Sequence, residues 1–316
     1  AGVVLSLRSG SIPKMETFQC THPKPSLNNV VATKKAIEII KKANDDDLIL
    51  LVISGGGSAM LTAPYRITYE EKALIAEQLM NSGAGIKELN IVRKHLSEVK
   101  GGRLAELAFP STMVTLIFSD VIGNDLSTIA SGPTVIDHTT VADARAILDK
   151  YNILEKISMP DLELIESPKD HKYFQKVDNF LVVDNSVATE AMEDKARAWG
   201  YSTRIYANNL QGNSHEVGSM LLNECRKGEA LIAAGETTIE ISGDGIGGRC
   251  QEMALANLRA VKENQILVCI GSDGHDHSDF AGGICDSYTL KRAKEEKVNL
   301  DEYLANNDSF NFFKKI

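Results

Sequence analysis

Between positions 243 and 279 the chain reads GDGIGGRCQEMALA, a short spacer, then ILVCIGSDGHDHSD. A glycine run opens a helix whose first turn carries Arg249 and Glu252. A strand expected over 266–270 follows, and Asp273 and Asp276 stand just beyond it. Helix N-termini present unpaired backbone N–H groups and attract anions. Carboxylates past the C-terminal end of a strand lie where open α/β sheets hold their ligands. Gly247, Gly248, Arg249 and Glu252 are therefore expected at a phosphate, and Asp273 in an acidic cluster suited to magnesium. Phosphate plus magnesium chemistry makes an enzyme the leading reading.

Three further stretches carry chemistry. Ser54, Gly55, Gly56, Gly57 and Ser58 follow a strand expected over 48–53. Three glycines let the backbone approach a ligand, and two hydroxyls can donate to anionic oxygens; a tight strand-to-helix turn would use the same residues. The loop lacks the closing Gly-Lys-Ser/Thr of a Walker A motif. Met60 stands where a nucleophile elbow needs glycine. Arg93 and Lys94, with KGGR shortly after, form a cationic stretch suited to an acidic substrate or a nucleotide phosphate; a solvated helix face reads the same way. Asp120 and Asp125 follow a strand expected over 113–118. Magnesium takes one or two protein carboxylates and keeps several waters, so both are candidate ligands, with Asx turns as the plain alternative.

Two rival chemistries share these residues. Gly243, Gly245 and Gly248 match GxGxxG, which suggests a nicotinamide dehydrogenase, although Arg249 would crowd the pyrophosphate turn. His275 and His277 flank Asp276 as His-x-His, a spacing that can bind zinc. No third histidine is placed near them by sequence, and an exposed loop explains them equally well.

The elements that must position these residues alternate strand and helix, which indicates an α/β protein with mostly parallel strands. The apolar run 48–53 suits a strand covered on both faces. Thr140 and Asp143 are expected to cap a helix reaching Leu148. Strands are expected over 230–234 and 237–242, as a hairpin arm. Between 155 and 178, prolines, charges and weak periodicity mark a domain boundary. We assign residues 1–165 to a Rossmann-like three-layer domain and 166–316 to a second α/β domain with a mixed sheet. With 316 residues, 43% apolar, the chain can bury one large core or two moderate ones. A net charge of −9 without a basic block argues against nucleic acid. No run is long and apolar enough to cross a bilayer. Five scattered cysteines fit free thiols in a reducing cytoplasm.

Together the motifs define a resemblance. ISGGGSAML at 53–61, VRKHLSEVKGGRLAE at 92–106, SDVIGNDLSTIASGPT at 119–134, GETTIEISGDGIGGRCQEMALA at 235–256 and SDGHDHSDFAGGICD at 272–286 are similar to the glycerate 2-kinases whose C-terminal module is called MOFRL. Some members of that class carry a hydroxypyruvate reductase label. The resemblance implies ATP-dependent phosphorylation of D-glycerate to 2-phosphoglycerate with magnesium, in a cytoplasmic two-domain α/β enzyme, a homodimer being left open. It implies that Arg249 steadies the transferring phosphoryl group. One of Asp273 and Asp276 orients or deprotonates the 2-hydroxyl, and Gly55 to Ser58 bind phosphate or substrate. Cys250 stands where the family has Asn, and His275 and His277 where it has Thr and Gly. The family's upstream Gly-Lys segment and its closing Thr-, Gly- and Asn-rich segment have no counterpart, so the chain is expected to be cut at both ends. An NAD(P)H-dependent reductase and an inactive ligand-binding fragment are the alternatives.

Overall fold

The computed structural model describes all 316 residues, and the chain divides into two compact units, Ala1–Asp184 and Asn185–Ile316. The irregular stretch 155–178 lies within the first. That unit opens with a parallel pair, β1 (Val3–Ser6) and β2 (Glu16–Gln19), and the helix α1 (Leu27–Ile40). β3 (Leu48–Ile53) runs into the glycine loop and the single turn α2 (Gly57–Met60). Helices α3 (Tyr69–Asn81), α4 (Ile86–His95) and α5 (Arg103–Ala108) lead to β4 (Thr112–Phe118). After α6 (Val141–Lys150) and α7 (Ile153–Lys156), β5 (Val177–Val183) completes a parallel sheet in the order β3-β4-β5.

Local chemistry explains where these helices start. Thr140 accepts the Asp143 amide while the Asp143 carboxylate takes the Thr140 amide, and Thr68 and Glu71 do the same for α3. Each is a capping box that satisfies two otherwise orphaned donors. Ile75, Leu79, Leu89, Val92, Ile147 and Leu148 then lock α3, α4 and α6 into one core. In β3 burial alternates instead of being continuous. Ile49 and Leu51 pack with Ile37 and Ile40 of α1 and Leu104 and Ala108 of α5, whereas Leu48, Leu50 and Val52 are 65%, 60% and 58% exposed. The reason is the pleat, which sends successive side chains to opposite faces, with those helices covering only one.

The second unit comprises α8 (Asn185–Ala198), β6 (Ser202–Leu210), α9 (Ser214–Glu224), β7 (Glu229–Gly235), α10 (Arg249–Ala256) and β8 (Ile266–Ile270). It ends with β9 (Gly282–Asp286), α11 (Ser287–Glu295), α12 (Leu300–Ala305) and α13 (Ser309–Lys315). β6 and β7 pair in parallel and β8 and β9 antiparallel, so this unit mixes strand directions. Leu255, Leu258, Cys285 and Phe312 sit at the centre of its core. The expected strand over 237–242 does not form. Thr238 makes one isolated bridge to Asn213, and Ser242 N instead donates to Asn307 Oδ1 on the α12–α13 link. All five cysteines are free, and no helix is long and apolar enough to cross a membrane.

Candidate active site

In the second unit the site is built on the N-terminus of α10. Its open amides are not vacant: Asp276 reaches in from the loop after β8 and accepts from Cys250 N (3.2 Å) and Gln251 N (2.7 Å). The Gln251 side-chain amide adds a bond to Asp276 Oδ2 and one to Ser278 Oγ. Asp276 is buried. The helix end that sequence reading assigns to a phosphate is thus filled by the protein's own carboxylate. Asp276 holds the loop in place, with both of its oxygens accepting from the first turn of α10. Gly248 makes this possible, because a Cβ there would stand 2.2 Å from Asp276 Oδ1. Gly248→Ala is expected to push the carboxylate off the helix and to cost about 1–2 kcal/mol, the range of a lost cap, read by denaturant unfolding.

Arg249 and Asp273, by contrast, face solvent. The Arg249 guanidinium is tied only to Glu236 Oε1, at 2.7 Å, in a pair with both partners exposed. Such pairs contribute little, so the arginine is free to exchange its partner. Asp273 accepts a single bond, from His275 N at 3.1 Å, which leaves its second oxygen open. Both bear on Cys250, whose thiol is pushed up to about 12 by burial and then by the negative field of Asp276. Cys250 is therefore a neutral neighbour and no nucleophile.

The glycine run before α10 does not make a dinucleotide turn. Gly243 N, Asp244 N and Ile246 N donate to Asn307 Oδ1, Asn306 Oδ1 and Asp308 Oδ1, and Gly245 N donates to Asn306 O. Gly247 packs against Ser309, where a Cβ would meet Oγ at 2.0 Å. These amides are committed to the tail, so neither a pyrophosphate nor the dehydrogenase reading finds a seat here. Glu252 lies one turn into α10. It is buried, with Oε1 shared between His215 Nε2 (3.2 Å) and Asn307 Nδ2 (2.9 Å), and ties α10 to the tail. His275 and His277 are exposed, and no three His, Cys, Asp or Glu side chains gather as a metal cage.

In the first unit the Ser54–Ser58 stretch lies at the C-terminal end of β3, beside Asp120 at the end of β4. A Cβ on Gly55 would stand 2.5 Å from Asp120 Oδ2, so glycine is what lets this carboxylate sit against the loop. Ser58 Oγ is 3.4 Å from Ser131 Oγ, which in turn donates to Asn90 Oδ1. Asp120 is exposed. Asp125 spends both oxygens on Ser127 N, Ser127 Oγ and Thr128 Oγ1, the plain turn. The Lys94 ammonium is buried in an ion pair with Asp137 Oδ1 at 3.2 Å. Arg93 is half-buried and forms no such pair. Sequence reading missed Glu236 and Gln251, and also Lys72, which is buried; Lys100, of the cationic KGGR stretch, is buried too. Lys72 had a signal: with Ile75 and Leu79 it falls on the inward stripe of α3.

The arrangement has close relatives among known proteins. Residues 1–165 match a family model described as a domain of unknown function, DUF4147, and residues 229–316 match the MOFRL family. The D-glycerate 2-kinase of Thermotoga maritima is 37% identical over 97% of this chain and 76% of its own length. The glycerate 2-kinase of Pyrococcus horikoshii is 35% identical over 96% of this chain and 74% of its own. A relative from Agrobacterium vitis, 34% identical over the whole chain, bears a hydroxypyruvate reductase name. The crystal structure of Thermotoga maritima glycerate kinase superposes with a TM-score of 0.89 at 35% identity, over 99% of this chain and 79% of that one. With identity at this level along nearly the entire sequence and the same fold beneath it, the chain belongs to the glycerate 2-kinase family with DUF4147 and MOFRL modules.

Proposed function

We propose that this protein transfers the γ-phosphoryl group of ATP to the 2-hydroxyl of D-glycerate, giving 2-phosphoglycerate and ADP. The observation that carries the reading is the unequal fate of the site's groups: Asp276 is consumed by α10, while Arg249 and Asp273 stand open beside it. Phosphoryl transfer asks a protein mainly for positioning and for neutralising charge. In our reading, Asp273 orients the 2-hydroxyl and takes its proton as oxygen bonds to phosphorus and the bond to ADP breaks. Arg249 exchanges Glu236 for the transferring oxygens. Magnesium, which typically keeps waters and uses one or two carboxylates besides the phosphates, supplies charge neutralisation when bound; Asp120 in the first unit and Asp273 in the second are each exposed carboxylates of the kind it takes, with no all-protein cage around either.

Phosphorus-31 NMR of the protein with ATP, magnesium and D-glycerate tests the reading. A growing phosphomonoester resonance matching 2-phosphoglycerate, with ADP in equal amount, is the expected result. An unchanged ATP spectrum, or oxidation of NAD(P)H by hydroxypyruvate in its place, overturns it.

A further inference from the structure

The first unit buries more lysine side chains than it pairs with carboxylates. Lys100 is 0% exposed, and its ammonium has one partner, the Ala130 carbonyl at 3.1 Å. Lys72 is 7% exposed and its ammonium has none. Arg93 lies close enough that its charge disfavours protonation of both lysines. The neighbouring cations are accounted for otherwise: Lys94 pairs with Asp137, and Arg103 donates to the carbonyls of Lys94, Lys100 and Ile165. An unpaired buried ammonium is costly, and a cluster of them more so. A lysine perturbed in this way beside a loop at a strand's C-terminal end is a candidate seat for an anion.

The cluster adjoins the glycine loop. Ala130 and Ser131 both adopt left-handed backbone (φ 50° and 62°), which side chains other than glycine rarely accept. That turn lays the Ala130 carbonyl on Lys100 and its methyl against Gly57, and brings Ser131 Oγ to Ser58 Oγ. Lys100 and two hydroxyls thus meet at one turn, with Lys72 and Arg93 within electrostatic reach of Lys100. Asp120 lies on the Gly55 side of the loop, and no carboxylate pairs with Lys72, Arg93 or Lys100, so their seat suits an oxyanion that arrives without magnesium. A small acid's carboxylate does so; nucleotide phosphates in such enzymes do not.

We infer that Lys72, Arg93 and Lys100, with the hydroxyls of Ser58 and Ser131, form the seat for the carboxylate of the hydroxy-acid acceptor. The inference rests on the kinase reading only for the identity of that acid. The charged groups facing Lys72 are Arg93 on α4, Lys100 in the loop after α4 and Arg103 on α5, all cationic. From α7, which also packs on α3, Lys156 is occupied with Ser82. Burial and these charges hold the empty Lys72 ammonium down to about 7. An arriving carboxylate favours the protonated form, so binding above pH 7 draws a proton from solvent, and affinity falls as pH rises beyond 7.

Titration calorimetry at pH 6.5 and 8.5, in Hepes and in Tris, decides the matter with three probes: D-glycerate, glycerol and magnesium-ADP. For the unaltered protein, D-glycerate should bind with a buffer-dependent enthalpy at pH 8.5, and glycerol should not bind. Lys72→Met should weaken D-glycerate at least tenfold, reduce the proton uptake and leave magnesium-ADP within twofold. Unchanged D-glycerate affinity in Lys72→Met, a loss on the nucleotide probe instead, or no proton uptake by the unaltered protein overturns the seat. The two readings fail separately. Lys72→Met that forms the phosphoester at full efficiency sinks the seat alone; D-glycerate bound through Lys72 with no phosphoester formed sinks the kinase alone.

Discussion

Arg249→Ala is expected to lower kcat by roughly 10³–10⁵ while nucleotide affinity changes only severalfold, since an arginine that stabilises the transferring phosphoryl group supplies about that much rate. The structure sharpens this expectation. Arg249 starts α10, whose N-terminus is anchored by Asp276, so its backbone is fixed while its guanidinium is held only by an exposed glutamate. Removing that side chain leaves the anchor intact, and the melting temperature should hold. Glu236→Gln separates the resting partner from the chemistry: it frees the arginine and should leave kcat within a few-fold, because exposed ion pairs contribute little. Steady-state kinetics with an ADP-release assay reads both. If Arg249→Ala stays within about tenfold of the parent, roughly 1.4 kcal/mol of barrier, the role is wrong.

The two aspartates of the SDGHD stretch should part company under mutation. Asp273→Asn keeps the shape of an exposed side chain and removes its ability to take a proton. Turnover should fall by about 10²–10⁴, the usual contribution of a positioned base, with unfolding unchanged. Asp276→Ala should do the reverse in kind. It strands the amides of Cys250 and Gln251 at a helix end, at a cost of about 1–3 kcal/mol, so the first readout to move is stability. Paired denaturant melts and kcat values test the assignment. Equal stability losses, or a nearly active Asp273→Asn, would contradict it.

How far the sequence alone reaches depends on how local the physics is. Thr140 with Asp143 is a capping box written in four residues, and it forms as read. The alternating strands and helices, and the glycine-flanked Arg249, are equally local. Asp276 is not: its partner amides lie 25 and 26 residues earlier. Nothing in SDGHD says that one carboxylate will cap α10 while the other stays open. The GxGxxG run misleads for the same reason, since its amides are claimed by Asn306, Asn307 and Asp308 far along the chain. Lys72 follows Tyr69, Glu70 and Glu71 and looks solvated, yet it shares an inward stripe with Ile75 and Leu79. Charge alone suggests the outside; spacing suggests the inside, and spacing wins.

The open row on β3 also bears on how the protein behaves as a solute. Leu48, Leu50 and Val52 line one side of that strand, and Ile266, Val268 and Ile270 do the same on β8. Contiguous apolar surface promotes association, and a net charge of −9 opposes it by mutual repulsion between molecules. Salt shortens the reach of that repulsion from about 10 Å at 0.1 M to about 3 Å at 1 M, and leaves the apolar attraction in place. Light scattered by a stock of fixed concentration should therefore grow as sodium chloride is added. The most dispersed preparations will be dilute and low in salt, conditions under which the charged contacts of a binding experiment are also strongest.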